Sequence, residues 1–175
     1  DCDGALVRAG CVKKRFGHQT NKDLRNSINA GQVSYHDVPL GQMPVWVKNN
    51  FLKHIDVAII EAAAIDENGN IIPTTSVGTS NIYAEYADKI IIEVNTYVPR
   101  CIEGIHDVYS PARPPHTQPI PITKVSDRIG TPYIKCDPAK VVAIVESDIP
   151  DNGRTVSPVD DEFRSMADNL IGFLH

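Results

Sequence analysis

The chain lacks most of the short signatures that give away an enzyme's chemistry. It has no Gly-x-Ser-x-Gly elbow, no Walker loop ending in Gly-Lys-Ser/Thr and no Gly-x-Gly-x-x-Gly. Its four cysteines, Cys2, Cys11, Cys101 and Cys136, form no Cys-x-x-Cys pair, and no histidine stands at metal-ligand spacing from them. The cysteines are therefore read as reduced, mostly buried thiols of a cytosolic protein, with a disulfide or zinc site as the lesser alternative. No apolar run reaches the roughly 20 residues that span a bilayer. The formal net charge of -5 gives no general attraction to nucleic acid or an anionic membrane. An initiator Met and a signal peptide are missing too, and the last residues, Asn169 to His175, stop inside an apolar helical pattern. Both ends read as cuts, so a fragment of a longer chain is expected.

What is present is an ordinary globular composition. The 175 residues are 42% hydrophobic and 22% charged, enough for one domain with a core. Asp3 to Ala9 suits a short helix and Val12 to Phe16 a basic strand. Asn21 is a helix N-cap with Asp23 in the first turn, Leu24 and Ile28 share a face, and Gly31 ends the helix. Val33 to Asp37 alternates as a strand, and Pro44 to Leu52 is helical with proline in its first turn. Asp56 to Ile65 is almost continuously apolar, as is a strand covered on both faces of a parallel sheet. Glu67-Asn-Gly-Asn70 marks a tight turn before a short Ile71-Ile72 strand. Ile82 to Ala87 reads as a helix, with Lys89 to Asn95 and Pro138 to Glu146 as two more buried strands. From Pro99 to Pro121 closely spaced prolines predict a long extended loop, and Asp148 to Pro158 a further loop. Asp160 to Leu174 reads as a closing amphipathic helix. The order of elements gives an α/β layered domain with a mostly parallel sheet flanked by helices.

One junction stands out chemically. Ile71 to Ala87 reads IIPTTSVGTSNIYAEYA, with Thr74, Thr75, Ser76, Gly78, Thr79 and Ser80 gathered where a strand gives way to a helix. Hydroxyls and free first-turn N–H groups there suit an anion, and Gly78 permits close backbone approach. A plain helix cap rich in hydroxyls is the competing reading. Glu61 and Glu93 sit in apolar strands, where burial would raise a carboxyl pKa and fit it for acid–base work. A paired structural carboxylate is the simpler reading of each. His106, Asp107 and His116 in the proline-rich loop are read as hydrogen-bonding groups rather than catalysts.

The segments Arg15 to Arg25 (RFGHQTNKDLR), Ile28 to Gly31, Asp56 to Ala62, Pro73 to Gly78 (PTTSVG), Ile91 to Asn95, Glu103 to Asp107 (EGIHD), Asp127 to Gly130 (DRIG), Val142 to Glu146 and Asp168 to Leu174 occur in this order. Together they resemble the acetyl-CoA hydrolase/transferase family, in particular its succinyl-CoA:acetate CoA-transferase branch. The resemblance covers essentially residues 1–175. It implies a CoA-transferase-like domain, most of the first of two, lacking its opening strands and the whole second domain. It implies ping-pong transfer of CoA through a glutamyl-CoA thioester, or, as the alternative, hydrolysis of acetyl-CoA. A non-catalytic anion- or partner-binding domain is the reading outside that chemistry. The implied nucleophilic glutamate lies beyond this chain, so no catalytic residue is assigned here, and neither Glu61 nor Glu93 inherits the role. The resemblance assigns substrate-binding positions to Thr20, Ser76, Gly78 and Arg154. Thr20 is a hydroxyl facing the small-acid pocket, and Arg154 is a guanidinium gripping a carboxylate. Asn152 is the competing register for Arg154, and Arg128 is read as a structural ion-pair residue. The family implies no metal and no cofactor, with coenzyme A as a substrate. Its partners would be an acyl-CoA and a small carboxylate, without nucleic acid or membrane, in a homodimer of the complete protein. That protein would be cytoplasmic, or mitochondrial in a eukaryote.

Overall fold

The computed structural model describes residues 2–151 and 156–174. Three parallel strands organise it. β3 (Val57–Ala62) pairs with β6 (Lys89–Asn95), and β6 pairs with β7 (Val141–Ser147), in the order β3-β6-β7. Around them the chain runs α1 (Cys2–Arg8), β1 (Lys14–Phe16), α2 (Lys22–Asn29), β2 (Ser34–His36), α3 (Met43–Lys48), a hairpin of β4 (Ala64–Ile65) and β5 (Ile71–Ile72), α4 (Ser80–Tyr86), and, after β7, α5 (Asp161–Leu174). The mixed α/β architecture with parallel strands flanked by helices is as the sequence predicts.

Local chemistry explains the best-placed boundaries. Asn21 accepts the Leu24 backbone N–H at 2.9 Å and starts α2, and Gly31 follows that helix in the left-handed region at φ 73°. The β4–β5 turn is built on Asp66. Its carboxylate accepts the backbone N–H groups of Asn68 and Asn70 and the Asn70 amide, while Gly69 takes φ 81°. Slight burial pushes that carboxyl up, but the hydrogen bonds from Asn70, Asn68 and Gly69 outweigh it and hold it below its ordinary value. β1 and β2 pair in parallel, with Phe16 and His36 edge to face at 5.4 Å.

The main core lies on one face of the three-stranded sheet. Ala58, Ile60, Ile90 and Ile92 pack against Ile71, Ala84, Ala87 and Ile134. The opposite face corrects an expectation. β3 alternates, with Ile60 2% exposed and its neighbour Ile59 68% exposed. β7 is an outer strand, and Val142, Ile144 and Val145 are open to solvent. The apolar run of Asp56 to Ile65 is thus covered on one face only by the described residues, and the third strand is not buried. α5 forms with the expected amphipathic pattern, yet it is exposed along its whole length and closes no core. The cysteines need correction as well. Cys136 is buried, but Cys11, in the loop after α1, and Cys101, in a 3-10 turn, are exposed, and all three are free thiols.

Apart from a 3-10 turn at Arg100–Ile102, the proline-rich stretch is an extended loop, as predicted. Its start is pinned to residues 129–131. Val108 and Thr131 form an antiparallel bridge, and Asp107 accepts the backbone N–H groups of Ile129 and Gly130 at 3.1 and 2.7 Å. A Cβ on Gly130 would stand 2.0 Å from the Val108 carbonyl oxygen, so the approach needs glycine.

Candidate functional site

In an open parallel sheet, ligands bind beyond the carboxyl ends of the strands. At that end of this sheet a cleft of about 270 Å³ lies between Glu61 of β3, Glu93 and Asn95 of β6, Thr74, Thr75 and Ser76 of the hydroxyl loop, and Ile149 to Asp151 after β7. Parallel pairing sets Glu61 directly beside Glu93.

Asn95 ties the three segments together. It is 3% exposed, and its amide donates to Glu61 Oε1 and to the Ile149 carbonyl oxygen, each at 2.8 Å. Its Oδ1 accepts the backbone N–H groups of Ile149 and Tyr97, both at 3.1 Å. Thr74, also buried, donates its hydroxyl to Glu61 Oε2 at 3.1 Å. Both carboxylate oxygens of Glu61 are therefore held, which is the structural reading of that residue. Glu93 lines the cleft with no hydrogen-bond partner among the described residues. Thr75 donates to Asp151 Oδ2 at 2.6 Å. His106 fixes the loop from behind. Its Nε2–H donates to the Thr74 carbonyl oxygen at 2.7 Å, and Arg128 donates to the carbonyl oxygen of His106 at 2.7 Å. Arg128 is thus structural, but through a backbone carbonyl rather than the ion pair expected.

The hydroxyls of Thr74 and Thr75 donate to the chain's own carboxylates, Glu61 and Asp151. Helix α4 starts after Thr79, whose side chain makes no capping bond. The plain-cap reading does not hold for Thr79, and Thr74 and Thr75 turn toward Glu61 and Asp151. Gly78 has φ 55° and open space where a Cβ would be. Its positive φ makes a left-handed turn that favours glycine.

Of the substrate-binding positions expected, Ser76 lines the cleft with its hydroxyl exposed. Gly78 sits two residues on in the same loop and is not part of the lining. Thr20 is exposed in the turn before α2, where its carbonyl oxygen accepts from Arg25 Nη2 at 3.3 Å, and it does not line the cleft. Arg154, and Asn152 of the competing register, lie outside the described residues. Sequence reasoning missed Asn95, Asp151 and Ile149. The signal for Asn95 was a lone amide ending an apolar strand.

No group of three metal-ligating side chains gathers in the cleft among the described residues. Among those residues, no helix is long and apolar enough to cross a membrane. A further cavity, of about 650 Å³, lies elsewhere, between α4, Val108 to Ser110 and Tyr133 to Lys140.

Comparison with known proteins agrees with this topology. Residues 2–146 match the acetyl-CoA hydrolase/transferase N-terminal domain. The whole chain is similar to a succinyl-CoA:acetate CoA-transferase of Clostridium kluyveri, with 41% identity over 175 residues and 32% of that protein covered. It is similar over its whole length to an acetyl-CoA hydrolase of Schizosaccharomyces pombe, with 43% identity and 34% of that protein covered. A solved 4-hydroxybutyrate CoA-transferase from Porphyromonas gingivalis shares the fold. The TM-score is 0.50 at 18% identity, over 91% of this chain and 34% of the other. The chain belongs to the acetyl-CoA hydrolase/transferase family, whose curated relatives are CoA-transferases and acetyl-CoA hydrolases. It spans about a third of the length of the curated relatives it matches.

Proposed function

We propose that the complete protein is a CoA-transferase moving CoA between acetyl-CoA or succinyl-CoA and a small carboxylic acid, and that this chain forms the carboxylate side of its cleft. The observation that carries the reading is the similarity of this whole chain to about a third of a succinyl-CoA:acetate CoA-transferase, combined with a cleft at the carboxyl ends of the strands. A glutamate outside this chain attacks the acyl-CoA thioester, giving an acyl-glutamyl anhydride and CoA thiolate. The thiolate attacks the glutamyl carbonyl, releases the first acid and leaves a glutamyl-CoA thioester. The acceptor carboxylate and the thiolate then reverse these steps, so the glutamate is regenerated. Coenzyme A is a substrate, and no other cofactor is needed.

The cleft needs a cation for this role. Glu61, Glu93 and Asp151 are acidic, so a bound carboxylate would be repelled by the described lining alone. Arg154, three positions past Asp151, is the residue proposed to supply the charge, with Ser76 donating a hydroxyl beside it. Thr20 and Gly78 keep lesser roles in this proposal, Thr20 reaching the acid only from outside the described lining. The complete protein is proposed to be a cytoplasmic homodimer, or mitochondrial in a eukaryotic cell.

Acetyl-CoA hydrolysis is the second reading, favoured by the 43% identity to such an enzyme. It uses the same acyl-glutamyl chemistry with water as the final acceptor. Incubating the complete protein with acetyl-CoA and measuring intact mass tests the covalent step. A CoA-sized adduct, reducible by borohydride at a glutamate outside this chain, is expected. No adduct under turnover, or turnover by residues 1–175 alone, would contradict it. Transfer to acetate or succinate exceeding release of free CoA separates the transferase from the hydrolase.

A further inference from the structure

At the other end of the sheet a second cavity, of about 330 Å³, opens between the end of α3, the segment leading into β3, the last turn of α4 and the proline-rich loop. Its charged lining residues are Lys48, Lys53, His54 and Arg113, and none of the lining is acidic. In a chain of net charge -5 this is a local reversal of sign.

Lys48 shows what the reversal is for. It is only 9% exposed, and its Nζ donates to Ser110 Oγ at 2.7 Å and to the Pro111 carbonyl oxygen at 2.5 Å. Both acceptors are neutral. An ammonium has three N–H donors, and a buried charge is ordinarily paired with an opposite one. No carboxylate among the described residues pairs with it. Lys53 has no ion-pair partner among those residues either. Arg113 donates to the Tyr86 hydroxyl at 2.7 Å and lies 5.7 Å from the centre of that ring, which positions the guanidinium without neutralising it. His54 is the exception, because its Nε2 lies 2.7 Å from Asp88 Oδ2. The exposed carboxylates of Asp56 and Asp88 gather around that imidazole, outside the cavity lining.

We propose that this cavity is a binding site for a phosphate-bearing anion, held by Lys48, Lys53 and Arg113. The arginine supplies a fork matched to phosphate oxygens, and the lysines supply point charges around it. The ligand is either a free polyphosphate or the phosphate end of a larger molecule such as coenzyme A. The site is separate from the hydroxyl cleft, and its occupancy can be read without any turnover, so it stands or falls independently of the proposed reaction.

The test is isothermal titration of the complete protein with inorganic pyrophosphate, then with free coenzyme A. The variants are Lys53→Gln/Arg113→Gln, whose side chains are exposed, and separately Lys48→Met. Saturable pyrophosphate binding is expected in the unaltered protein, weakened about tenfold or more in the double variant. Added salt should weaken it further, and Ser76→Ala should not change it. An equal loss of coenzyme A affinity in the double variant would identify the coenzyme's phosphates as the ligand. Unchanged coenzyme A affinity with lost pyrophosphate binding would identify a free polyphosphate. Absence of saturable pyrophosphate binding, or equal affinity in the double variant, overturns the proposal. If Lys48→Met does not fold, the exposed pair still decides.

Discussion

The two ends of one parallel sheet are built with opposite chemistry. At the carboxyl ends of β3, β6 and β7 stand Glu61, Glu93 and Asp151 among hydroxyls, with the buried Asn95 tying Glu61 to Ile149. Beyond the amino ends stand Lys48, Lys53 and Arg113 around a cavity without an acid. At the carboxyl end the chain satisfies much of its own charge: Glu61 is held by two donors and Asp151 by Thr75. At the amino end a buried ammonium has only neutral acceptors among the described residues. The comparison separates a self-satisfied polar network, which positions loops, from a set of cations of which Lys48, Lys53 and Arg113 have no carboxylate partner among the described residues.

Breaking the network at the carboxyl end should have the largest effect. Asn95→Ala leaves Glu61 Oε1 short of a donor and the backbone of Ile149 without its side-chain partner. It should lower stability by about 2 kcal/mol or more. A thermal or urea transition of the purified protein measures this, and an unchanged transition would mean that the loops are held by something else. A smaller effect is expected from Ser76→Ala, which removes a cleft hydroxyl that has no hydrogen-bond partner among the described residues. It should leave stability within about 0.5 kcal/mol and raise the acid's KM in the complete protein about threefold.

The smallest effect belongs to the amino end. The hydrogen bond to Asp88, and then its charge, raise the His54 pKa above its ordinary value. The pair therefore contributes stability that is fully present below the unfolded pKa, near 6.5, and is lost as pH rises through the raised folded value. His54→Ala should flatten the stability–pH profile across that window and change little above it. Because the pair is exposed, the change should be slight. A variant profile parallel to the original would contradict the coupling.

Local rules placed much of the fold. The Asn21 cap, the Asp66 turn and the strand at Lys89 to Asn95 each follow from short-range chemistry that the sequence carries by itself. Burial was harder to read. Val57 and Ile59 look like core residues because a strand covered on both faces and one covered on a single face differ only in what packs on the second face, which is not local information. The described residues cover one face, and the apolar side of α5 is likewise exposed. The cleft was half legible. The hydroxyls of residues 74–76 marked the place, but their partners Glu61 and Asp151 lie 13 and 76 positions away along the chain, so the pairing appears only in the folded structure. Lys48 gave no signal at all, since nothing in the run of α3 tells that Ser110 and Pro111 will enclose its ammonium.

The most direct test of the carboxylate-side assignment is a split of steady-state constants in the complete protein carrying Arg154→Gln. Acid and acyl-CoA concentrations are varied separately. Loss of the proposed guanidinium grip should raise the KM for the acid about tenfold or more and leave the KM for acyl-CoA within about twofold. An unchanged acid KM, or an equal rise for both substrates, would contradict the placement of the small carboxylate at the carboxyl ends of these strands.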